Sequence, residues 1–126
     1  MIKYIALIYI IVSSIVIIFQ IALVFGAPWG NLTLGGKWRG RLPGKARIIP
    51  FFSIVVLLFF IIIAAARTQI AFDQIYDSSK NLIWIVVGYN ILGTIMNAIT
   101  PSRSERKLWL PVIVFMLLSS IFIAFS

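Results

Sequence analysis

The chain contains neither cysteine nor histidine. Disulfides, thiolate nucleophiles, thiolate and imidazole metal sites, His-ligated haem and Ser-His-Asp machinery are therefore outside its chemistry, and no cofactor or metal is expected. Acidic residues are almost as scarce: Asp73, Asp77 and Glu105 are the whole set. None lies in the middle of an apolar run, where a proton-coupled pump would keep a carboxylate, so ion-coupled antiport is disfavoured. Charged residues make up 11% of the 126 positions and apolar ones 62%, with a mean hydropathy of +1.10. Soluble domains carry about 25% charge, so a soluble globular domain is excluded.

What the chain does have is four long apolar runs, at about residues 4–25, 48–66, 82–99 and 108–125. The first would span roughly 33 Å as a helix, enough for a ~30 Å hydrocarbon core. It is longer than the ~7–15-residue core of a signal peptide and no A-x-A site follows it, so it reads as a retained span. The expectation is an all-α membrane protein, a four-transmembrane-helix bundle forming a single transmembrane domain over residues 1–126. Asp77, Ser78 and Ser79 are candidate N-caps of the third helix. Ser102-Arg103-Ser104-Glu105 matches a capping box, with Ser102 as N-cap and Glu105 reaching back, and starts the fourth helix near Arg103. Pro111 should kink or break that helix.

The basic residues are unevenly placed. Lys37, Arg39, Arg41, Lys45 and Arg47 lie between the first two runs and Arg103, Arg106 and Lys107 between the last two, against Lys3, Arg67 and Lys80 elsewhere. Eight against three predicts that the 26–47 and 100–107 loops are cytoplasmic and both termini outside, in a multi-pass protein of the cell membrane. All four tryptophans, Trp29, Trp38, Trp84 and Trp109, fall at or beside run ends, as an aromatic belt would have them. The net charge of +8 is thus read as topology and attraction to anionic lipid rather than as nucleic-acid binding.

Six of the eight glycines sit in the first loop, and Gly35-Gly36 between short runs containing Leu32, Leu34 and Trp38 is a two-residue hairpin signal. No Walker or dinucleotide spacing is present. The plain reading is a compact lid whose arginines enforce topology; the sharper one is a cradle for anionic headgroups or phosphate. Arg39, Arg41, Arg47, Arg103, Arg106 and Lys107 are its candidate residues, arginine suiting phosphate because its planar fork binds two oxygens. Glu105 could also pair with a first-loop arginine.

Within the apolar runs Gln20, Ser53, Asn90, Thr94 and Asn97 form a candidate intramembrane polar cluster. Asn90 and Asn97 are seven apart with Gly93 and Thr94 between them, which makes one small, polar helix face. That face should turn inward, as glue between helices or as the lining of a substrate or ion path.

The segments Gly26-Ala27-Pro28-Trp29-Gly30, Leu34-Gly35-Gly36, Gly40 with Leu42-Pro43, and Arg47, together with Asn97-x-x-Thr100-x-Ser102-x-x-Glu105-Arg106, Trp109 and Pro111, carry a resemblance over nearly the whole chain. The chain resembles a family of small bacterial four-span integral membrane proteins with no assigned activity. The resemblance implies the architecture and nothing catalytic. Small multidrug exporters are unlike it, since they need a carboxylate in the first span, and so are the dual-topology fluoride channels. The leading expectation is a non-catalytic accessory or lipid-interacting bundle, with membrane lipids as partners and self-association open. A small transporter or channel lined by the helix 3 asparagines comes second, and an enzyme acting on a lipid headgroup third.

Overall fold

Inside a bilayer the backbone finds no water, so runs this apolar must satisfy their N–H and C=O groups within the segment, and the helix does so. A computed structural model describes residues 2–33, 37 and 40–125, Asn31 by its backbone alone. It shows α1 (Ile2–Val24), α2 (Ile48–Arg67), α3 (Tyr76–Ile99) and α4 (Arg103–Ala124), with no strand among the described residues. All four helices are long and apolar enough to cross a membrane. The protein is an all-α, multi-pass four-helix bundle. The hairpin signal at Gly35-Gly36 lies outside the described residues.

Each helix packs on its sequence neighbours and α1 closes the ring against α4. The interior mixes small and polar side chains, with Ala6, Ser13, Ala64, Ala66, Ser79 and Ser120 all fully buried, and bulky ones such as Tyr9, Phe60, Ile63, Ile83 and Ile123. Many other bulky residues face outward, among them Ile11, Ile15 and Ile18 on α1 and Phe52, Val55 and Phe59 on α2. This distribution suits lipid, where tails solvate large apolar groups and helices associate by close packing of small ones.

The helix boundaries depart from the apolar runs in an instructive way. α3 begins at Tyr76, six residues before its apolar run, and Asp77, Ser78 and Ser79 lie inside the helix rather than capping it. Asp77 in the first turn suits the positive end of the helix dipole, and Ser79 Oγ donates to the Tyr76 carbonyl. α4 starts at Arg103 as the cap motif predicts, Glu105 N–H donating to Ser102 Oγ at 3.2 Å. It then runs through Pro111 without a break. The N–H that Pro111 lacks would have bonded the carbonyl of exposed Lys107, near the helix start, where a polar environment can take over.

The first loop is anchored at several points. Gly26 (φ +94°) ends α1, with Ala27 N–H donating to Ala22 O at 2.9 Å and Gly26 N–H to Leu23 O at 3.1 Å, a Schellman arrangement that needs a left-handed residue. Gly30 N–H donates to Gly40 O at 2.7 Å, joining the two arms of the loop. Leu42 and Ala46 bury against Leu23 and Phe19 of α1.

Candidate functional site

A cavity of about 220 Å³ opens between the four helices at the end that carries the 26–47 loop. Its polar lining comes from every helix: Gln20 from α1, Ser53 from α2, Tyr89, Asn90 and Asn97 from α3, and Glu105 from α4. Leu32 and Thr33 of the first loop complete it, and Val16, Leu57, Val112 and Met116 supply apolar wall. Four of the five members of the intramembrane polar cluster thus meet at one cavity. Thr94 is the exception, its hydroxyl donating to the Asn90 carbonyl at 2.8 Å within α3.

The two asparagines are held differently. Asn90, 1% exposed, donates from Nδ2 to Ser120 Oγ on α4 at 3.2 Å, a hydrogen bond between helices. Asn97 donates to the Gly93 carbonyl one turn back at 2.7 Å, so its amide nitrogen is tied to its own helix. Gly93 lets α3 approach α4 closely: a Cβ there would sit 3.2 Å from Ile113 Cδ1. Beyond Asn90, fully buried Tyr9 and Ser13 bring two more hydroxyls into the core, close to Asn90.

Glu105 serves two ends of one geometry. Its N–H is capped by Ser102, while its side chain, only 8% exposed, lines the cavity. Glu105, Trp109, Val112 and Met116 recur at i, i+4, i+7 and i+11, so one stripe of α4 forms a wall of the cavity. That spacing is present in the sequence, yet Trp109 reads there only as part of an interfacial belt. In the structure its indole N–H donates to the Leu32 carbonyl at 2.7 Å. Phe19 lies between two tryptophans, stacked on Trp29 at 5.5 Å and edge-on to Trp109 at 4.7 Å. The 30–33 segment is thereby fastened over the cavity. Tyr89 and Thr33 are further lining residues that no sequence motif marks.

The candidate anion-binding residues are more dispersed. Arg47 Nε donates to the Leu42 carbonyl at 2.9 Å and its guanidinium packs against Gly26, where a Cβ would meet Nη2 at 3.2 Å. Arg47 is thus part of the loop's own framework. Arg41, Arg103 and Lys107 are exposed and Arg106 is half-buried; Arg39 lies outside the described residues. Among the described residues no lysine or arginine lines the cavity. Among the described residues the one charged group lining the cavity is therefore a carboxylate, with exposed basic residues outside it. Comparison of the chain with family models, with curated proteins and with solved structures found no match in any of the three.

Proposed function

We propose that this is a non-catalytic, lipid-interacting membrane protein that receives the polar head of a membrane amphiphile in the cavity between its helices. In this reading the 26–47 and 100–107 loops face the cytoplasm and both termini lie outside. The chain takes its place beside the small four-span membrane proteins whose loop motifs it resembles. The observation that carries the reading is the meeting of Gln20, Ser53, Asn90, Asn97 and Glu105 at one cavity within an otherwise apolar bundle. At about 220 Å³ it falls below the ~300–1,000 Å³ of pockets for drug-sized ligands, which points to a headgroup-sized guest. Exposed Arg41, Arg103 and Lys107 offer phosphate contacts outside the cavity. Arg103 and Lys107 also stand near a helix N-terminus, where the dipole disfavours cations and a bound anion would relieve the conflict.

The test is native mass spectrometry of the delipidated protein in dodecyl maltoside with dioleoylphosphatidylglycerol. A saturable one-to-one adduct, weakened several-fold when Arg103 and Lys107 are both changed to Gln, is expected. Binding no tighter than that of detergent would refute the reading.

The second reading, a small transporter or channel, is favoured by one observation. Asn90 links the cavity to Ser120, and the hydroxyls of Ser13 and Tyr9 lie two and three turns from Gln20 along α1, towards the opposite end. Solute flux into sealed proteoliposomes, lost in Asn90→Leu, would establish it.

A further inference from the structure

We propose that the cavity is a blind, water-filled vestibule. Water enters at the end that carries the 26–47 loop, runs past Asn90 to the hydroxyls of Ser13, Tyr9 and Ser120, and stops at an apolar septum one helical turn further on. The occupant is neutral and donates and accepts alike. The proposal does not rest on a lipid headgroup reaching the mouth of the cavity.

The lining asks for partners of both kinds. A side-chain amide has two N–H donors and a carbonyl oxygen with two acceptor positions. Asn90 gives one N–H to Ser120 Oγ and Asn97 gives one to the Gly93 carbonyl, so each retains a donor and an acceptor beyond that bond. Gln20, Ser53 and Thr33 add an amide and two hydroxyls, which also donate and accept. Such groups in apolar surroundings need hydrogen bonds, and water supplies both kinds from one molecule. The space is ample: about 220 Å³, where roughly 10–15 Å³ suffices for a single water with polar partners. Gln20, Thr33 and Asn97 are half-buried, whereas Asn90 is 1% exposed. Past Asn90 the polar groups continue: the Tyr9 hydroxyl lies close to Asn90 and Ser13, and Ser120 joins through its bond to Asn90.

Three helices then change character together. Going away from the cavity, Ala6 lies three residues beyond Tyr9 on α1, Val86 four beyond Asn90 on α3, and Ile123 three beyond Ser120 on α4. Each step is about one turn. Ala6, Val86 and Ile123 are fully buried, as is Ile83 a further turn along α3, and Ile63 of α2 belongs to the same packed cluster. A close-packed layer of these side chains gives water neither room nor a polar partner. The septum, rather than the chain of polar groups, is thus what separates the vestibule from the opposite face of the bundle.

The experiment is water-edited solid-state NMR of the full chain in dioleoylphosphatidylcholine proteoliposomes, which times the passage of magnetisation from water to each side chain. Val16, on the cavity wall, and Val86, in the septum, are the like-for-like pair. Val16 is expected to receive magnetisation several-fold faster than Val86, and the Cβ of Ser13 to follow Val16. Asn90→Leu should slow transfer to Ser13 several-fold and leave Asn97 unchanged. Equal transfer to Val16 and Val86, or transfer to Ser13 as slow as to Val86, overturns the vestibule. Osmotic water permeability of the same proteoliposomes, followed by stopped-flow light scattering, tests the blind end. The native chain should match protein-free liposomes, and Val86→Ser combined with Ile123→Ser should raise permeability several-fold. Val86→Thr, which nearly keeps the shape of valine, should carry water magnetisation to position 86 and keeps this arm decisive if the double variant does not fold. Permeability above that of protein-free liposomes in the native chain overturns the septum, as does the absence of any gain in every variant that folds.

Discussion

Trp109 on α4 gives its indole N–H to the carbonyl of Leu32, a residue 77 positions earlier in the chain, at 2.7 Å. The contact fastens the first loop to the last helix, and edge-on packing against Phe19 of α1 at 4.7 Å shares its support. Trp109→Phe keeps an aromatic ring there and deletes the donor. A stability loss of about 0.5–1.5 kcal/mol is expected from thermal unfolding in detergent, with faster amide exchange confined to residues 30–33. Unchanged exchange in that segment would show that the loop is held by something else.

Gly93 tests the closeness of α3 and α4. A methyl group there meets Ile113 Cδ1 at 3.2 Å and Cγ1 at 3.3 Å, so Ile113 must give by a few tenths of an ångström, which offsets the roughly 0.5–1 kcal/mol that alanine gains over glycine inside a helix, and Gly93→Ala should not stabilise the protein. Ile113→Ala makes room for that methyl, and the double variant should be more stable than the sum of the single effects predicts, by roughly 0.5–2 kcal/mol. Strict additivity in this cycle would contradict the packing described.

The two asparagines should respond unequally to leucine. Asn90 bonds across to Ser120, and Asn90→Leu is expected to cost about 0.5–2 kcal/mol. Asn97 bonds only to Gly93 of its own helix among the contacts seen, so Asn97→Leu should cost less while making the cavity more apolar. The reverse order of stabilities, measured by detergent denaturation, would count against the arrangement.

The proposed orientation makes a labelling prediction. The chain has no native cysteine, so single-cysteine variants at exposed Lys37 and Asp77 report sidedness cleanly. In intact cells an impermeant thiol reagent should label position 77 and spare position 37 until the membrane is opened. The opposite pattern inverts the protein.

Hydropathy marks where a chain is comfortable in lipid, and this explains what could be read in advance. The four helices are legible because each apolar run must become one, and the α4 start is legible because Ser102 and Glu105 form a local motif. The start of α3 is not, since Tyr76 to Asn81 is helical without being apolar. The same contrast holds at the cavity. Gln20, Ser53, Asn90 and Asn97 stand out because an amide or hydroxyl in an apolar run demands a partner. Trp109 does not stand out, because an aromatic residue near a span end already has an interfacial role, and Tyr89 does not, because an aromatic residue in mid-span reads as ordinary apolar bulk. The union of the Glu105 wall with the first loop depends on contacts far apart in sequence, which no local pattern encodes. Arg47 shows the converse: its type and place suggest an anion ligand, whereas its neighbours Leu42 and Gly26 make it part of the loop framework.

The fastening of Leu32 to Trp109 also sets the ways into the bundle. At the basic end chain connections join α1 to α2 and α3 to α4, and the strap from the first loop to α4 closes the α1–α4 seam. Among the described residues, the α2–α3 seam is the one there bridged neither by a connection nor by that hydrogen bond. On the proposed binding reading, a molecule dissolved in the leaflet would reach Ser53 and Asn97 past this seam without lifting the strap.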